Sequence, residues 1–155
     1  MVVNLVIGPH ITQVYRSGNK ARLQALSRNS ARVALLVALP VALPLIFLGG
    51  PILGMVFGQD YRDLATWPLA ILVTGQLVNV MFGSVGILLT MSGYERDALL
   101  GHALALFVNF ILALVFVPIY GVIGAAVAAS IGLIVWNVVL ALKVVKRLGV
   151  RPAAL

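Results

Sequence analysis

Residues 98–118 read ALLGHALALFVNFILALVFVP, and after two residues the chain continues at 121–142 with GVIGAAVAASIGLIVWNVVLAL. Neither stretch holds an Asp, Glu, Lys or Arg. Each matches the ~20 apolar residues a helix needs to cross ~30 Å of hydrocarbon. Two more stretches of the same kind lie upstream, Val33–Phe57 and Leu64–Thr90. The 11 basic and 4 acidic residues all fall between or beyond these four blocks. The fold class predicted is all-α: an integral membrane bundle with transmembrane helices at 33–57, 64–90, 98–118 and 121–142.

Composition excludes the alternatives. Hydrophobic residues make up 62% of the 155, and charged residues 10%. A soluble domain averages about 25% charged residues, so this chain lacks the polar coat a water-facing surface requires. It has no cysteine, which removes disulfides, thiolate metal sites and thiol nucleophiles. The net charge of +7 does not point to nucleic acid, because the basic residues split into clusters abutting the apolar blocks. That distribution is how topology signals look.

Arg16, Lys20, Arg22, Arg28 and Arg32 precede the first block; Arg96 lies between the second and third; Lys143, Lys146, Arg147 and Arg151 follow the fourth. Only Arg62, flanked by Asp60 and Asp63, falls on the other side. The positive-inside rule then places both termini in the cytoplasm, with 60–63 and 119–120 on the outer face. Tyr15, Tyr61, Tyr94 and Tyr120 fall at or near headgroup level, where amphipathic rings collect.

Residues 1–8 are apolar but too short to span, and have neither the basic start nor the cleavage site of a signal peptide. They are read as the end of a preceding transmembrane helix, which makes the chain the C-terminal part of a larger transporter. Residues 9–32 are a basic cytoplasmic linker with a short interfacial helix near 19–29, and 143–155 a basic cytoplasmic tail. Within the linker Arg16, Lys20 and Arg22 are candidates for contact with lipid phosphate.

Polar residues inside the blocks are few. Gln76, Asn79, Gly83, Gly86 and Thr90 recur at steps of three and four, so they share one face of a helix. Amides at mid-bilayer depth seek a neighbouring helix or a wet cavity. Gln76 and Asn79 are therefore substrate-pathway candidates, and so is Asn109, which is placed to pair with either. Gly124, Ala128 and Gly132 form a stripe of small residues that suits close helix packing. His102 is read as a hydrogen-bonded interfacial residue, and Pro40, Pro44 and Pro51 as kinks in the first span. No paired carboxylates, phosphate loop or metal-ligand cluster is present, so neither catalysis, nor a metal, nor a cofactor is expected.

The punctuation between the spans resembles a known family. Pro118-Ile-Tyr-Gly121-Val-Ile-Gly124-Ala125-Ala126 is similar to the P-x-x-G-x-x-G-A-A segment before the last helix of many polysaccharide flippases. These are the O-antigen and exopolysaccharide translocases of the multidrug/oligosaccharidyl-lipid/polysaccharide exporter superfamily. Phe57-Gly58-Gln59-Asp60-Tyr61-Arg62-Asp63-Leu64-Ala65 resembles that family's outer loop, and Gly86–Gly93 the end of its penultimate helix pair. The resemblance implies a segment of a transporter in the bacterial inner membrane that flips lipid-linked oligosaccharide by alternating access. Its partners would be membrane lipid, that oligosaccharide, and the missing N-terminal half or a partner subunit. A related exporter of drugs or peptidoglycan precursor, and a non-transporting scaffold or inactive remnant, remain as alternatives.

Overall fold

The computed structural model describes residues 20–150, and their regular structure is entirely helical. Five helices follow one another: α1 (Lys20–Phe47), α2 (Gly49–Phe57), α3 (Gln59–Phe82), α4 (Val85–Met91) and α5 (Glu95–Leu148). Three of them, α1, α3 and α5, are long and apolar enough to cross a membrane.

The helix boundaries differ from those the apolar blocks suggested. The basic residues from Lys20 to Arg32 are not a separate interfacial helix; they are the first turns of α1. Pro40 and Pro44 sit within α1, which ends at Phe47, and after Leu48 Gly49–Phe57 is a helix of its own. The outer loop expected at 60–63 is the first turn of α3. The single span expected at 64–90 is broken at Gly83 and Ser84 into α3 and α4. Gly83 has φ 69, and a Cβ built there would stand 2.9 Å from Ala31 Cβ. A side chain would suffer there twice, from the backbone conformation and from the wall of α1.

The blocks 98–118 and 121–142 are the arms of α5. At 54 residues a straight helix would run ~81 Å, more than twice a bilayer core. It does not run straight: Gly121 has φ 57 and ψ −129, outside the helical region, and the chain folds back there. Contacts climb the resulting hairpin in antiparallel register. Gly124 meets Phe116, Gly132 meets Asn109, Gly101 meets Leu140, and Asp97 meets Lys143 at the open end.

The remaining contacts order the bundle. α2 runs back along α3, with Gly50 against Thr66 and Gly49 against Leu69. α1 is antiparallel to α3, since Ala31 lies at Gly83 and Ala42 shares a groove with Leu72. The 122–148 arm runs parallel to α3, with Ser130 at Gly75 and Asn137 at Asn79. A buried cluster of Leu23, Val85, Leu88, Leu89, Leu140, Val144 and Leu148 gathers where α1 begins and α5 ends.

Away from that cluster, the close approaches between the long helices fall at Gly, Ala and Ser, while many large apolar residues point outward: Leu36 is 68% exposed and Leu106 69%. A water-soluble bundle buries its Leu and Phe. Small residues inside and large apolar residues outside are the arrangement lipid requires.

Candidate functional site

Asn137 is fully buried in the second arm of α5, and its Nδ2 donates to Asn79 Oδ1 at 2.9 Å and to the Leu133 carbonyl at 2.8 Å. Asn79 Nδ2 in turn donates to Gln76 Oε1 at 3.2 Å. Three amides therefore form a relay, beginning at exposed Gln76 on α3 and ending inside the bundle. A second tie lies two turns away, where the Ser130 hydroxyl donates to the Ile71 carbonyl at 3.2 Å. Gly75 allows that approach: a Cβ there would fall 2.8 Å from Ser130 Oγ.

The sequence placed Asn109 as the partner for Gln76 or Asn79. The structure pairs Asn79 with Asn137 instead, and sets Asn109 against Gly132 within the hairpin. Asn137 and Ser130 were the residues missed. Their signal is a polar side chain on a face of the fourth block away from the small-residue stripe, which is uninterpretable until the neighbour on that face is known. The stripe itself, Gly124, Ala128 and Gly132, is buried, with Gly124 and Gly132 against the first arm of the same hairpin.

A cavity of about 540 Å³ opens beside this relay, at the break between α3 and α4. Asn79, Gly83, Gly86 and Thr90 all line it, so most of the polar face read from the sequence stays together across the break. Gln76 does not join them; it edges a separate, apolar groove of about 320 Å³ between α1 and α3. His102 and Trp136 complete the larger cavity, with ring centroids 4.7 Å apart. His102 Nδ1 lies 2.9 Å from the Ala98 carbonyl, the intrahelical bond expected of an interfacial histidine. Among the described residues, no Asp, Glu, Lys or Arg lines this cavity.

Charge is concentrated at the open end of the hairpin. Asp97, only 8% exposed, receives Lys143 Nζ at 2.5 Å and Arg147 Nε at 2.8 Å on its two oxygens. The hydrogen bond from Lys143 holds the carboxyl below its ordinary value; burial pushes it upward, and Arg147 adds to the lowering. Arg147 also lies over the Tyr94 ring, 5.3 Å from its centroid. The two partners of Asp97 are 46 and 50 residues away, beyond any local pattern in the sequence.

Of the phosphate candidates, Lys20 opens α1 with its Nζ near Gly149, Arg22 is exposed in the same first turn, and Arg16 lies outside the described residues. Among the described residues no group of His, Cys, Asp or Glu is placed to hold a metal ion.

Apolar helices of spanning length, with small residues at their close contacts and large apolar side chains facing outward, define an integral membrane protein of the helical-bundle class. The comparisons agree in kind. The chain is 24% identical over 125 residues to the probable low-salt glycan biosynthesis flippase Agl15 of Haloferax volcanii. That match covers 81% of this chain and 26% of the relative, so the chain spans about a quarter of the relative's length. No protein-family model matches, and no solved structure matches.

Proposed function

We propose that this chain is a segment of a membrane transporter that carries a lipid-linked glycan from one face of the cell membrane to the other. The arms of α5 count as two crossings in this reading, which gives four in all with both termini on the cytoplasmic side. The observation that carries it is the amide relay of Gln76, Asn79 and Asn137, whose outer member stays exposed on an otherwise apolar helix face. An exposed amide among lipid tails is costly, whereas one lining a route for a polar cargo is solvated by that cargo. The relative named as a glycan biosynthesis flippase supports the same class.

The glycan passes between helices while its lipid anchor remains in the bilayer, and access alternates between the two faces. Translocation of a lipid-linked glycan by the intact transporter, compared between wild type and Gln76→Leu, tests this. Gln76 is exposed, so its replacement spares the packing, and unchanged flux at equal expression refutes the assignment.

A further inference from the structure

The cavity at the α3–α4 break has a chemical bias that the surrounding helices impose. Ser30, Thr90 and His102 each spend a hydrogen on their own helix, whereas the Trp136 Nε1–H is buried without a partner and is free to meet a hydroxyl oxygen. The Ser30 hydroxyl donates to the Leu26 carbonyl at 2.6 Å. The Thr90 hydroxyl is shared between the Gly86 and Ile87 carbonyls at 3.1 and 3.2 Å. A carbonyl can only accept, so in the neutral His102 ring Nδ1 carries the proton bonded to Ala98 and Nε2 is left as an acceptor. What these three groups offer outward is lone pairs.

We propose that this cavity is a binding site for the uncharged, hydroxyl-bearing part of a ligand, a carbohydrate ring above all, with Ser30, Thr90 and His102 accepting its hydroxyl protons and Trp136 forming an apolar wall. This rests on the reading of the bundle as a glycan route and adds the place where the glycan is held. A phosphate fits the site poorly: among the described residues no Lys or Arg lines the cavity to balance its charge, and the lone pairs of Ser30, Thr90 and His102 repel an anion. A hydrocarbon tail would leave the same acceptors without donors in a dry site. A sugar brings a donor on every hydroxyl and an apolar ring face for the indole. The volume, about 540 Å³, lies within the range of small-molecule sites.

Trp136 reports on its own cavity. The chain has 2 tryptophans, so Trp67→Phe leaves Trp136 as the single emitter. That full chain, in lipid nanodiscs, is titrated with a neutral disaccharide, with inorganic phosphate and with sodium chloride. A saturable change in emission is expected with the disaccharide alone. Thr90→Val and His102→Phe each remove one acceptor at nearly constant shape and weaken the response roughly five-fold; His102→Gln, which retains an acceptor, restores most of it. A response that never saturates, one unchanged in both variants, or one elicited by phosphate or sodium instead overturns the proposal. Because the readout is binding, it separates from the transport reading: disaccharide that saturates a protein unable to move glycan refutes transport and leaves the site standing.

Discussion

Asn137 and Asn79, 58 residues apart, face each other across the boundary between α3 and the second arm of α5, joined by a 2.9 Å hydrogen bond at a position where both helices are otherwise apolar. With the Ser130–Ile71 bond two turns away, it fixes the register between the two elements.

Replacing either amide by leucine is expected to cost about 0.6 kcal/mol and no more than about 1.7, the span of interhelical hydrogen bonds in membrane proteins. The double variant should cost less than the sum of the two single ones, since the bond the two amides share is lost only once. Reversible unfolding in mixed detergent micelles gives the cycle, and strict additivity contradicts the pairing.

Gly124 and Gly101 should respond differently to alanine. At Gly124 the new Cβ meets the Phe116 backbone oxygen at 2.2 Å, and backbone at a hairpin bend cannot yield. At Gly101 it meets Leu140 Cδ2 at 2.5 Å, the far end of a side chain that can change rotamer. Gly124→Ala is expected to lose about 1–3 kcal/mol and Gly101→Ala distinctly less, read as melting temperatures in one detergent.

The Asp97 cluster makes the hairpin sensitive to acid. The folded-state carboxyl titrates below its ordinary value of about 3.9. Its contribution is therefore present above that value and is lost as pH falls through the lower, folded one. Stability should hold from neutrality to about pH 4 and decline below it. Asp97→Asn should flatten that decline and lower stability at neutral pH, because Lys143 and Arg147 then face one another without a counter-charge.

The absence of native cysteine permits a clean topology test. Single cysteines at Glu95 and Lys146 should react with a membrane-impermeant thiol reagent from one side, and those at Arg62 and Tyr120 from the other. Labelling of Glu95 and Tyr120 from the same side would mean that the 95–120 arm does not cross.

The environment of this protein was legible in its residues. Uncharged runs such as 98–118 have no stable home in water, and a helix is the way a lone segment satisfies its backbone in lipid. The break at Gly83 was not legible, since the same glycine fits a packed face or a kink; only its positive φ in the fold distinguishes them. Gln76 and Asn79 were visible as polar residues on one face, yet they now edge different cavities, because the α1–α3 groove divides what helical spacing had united.

Hydropathy, spacing and the placing of charge settle how each segment behaves toward its solvent, because those depend on the composition of the segment alone. Which segments touch was decided by the fold. Asn137 with Asn79, Asp97 with Lys143 and Arg147, and the cavity closed by His102 and Trp136 all join residues that are remote along the chain or on separate helices. A helical period assigns a residue to a face; it carries no information about what stands opposite, and that is set only when the small residues of one helix find the surface that lets its backbone come close.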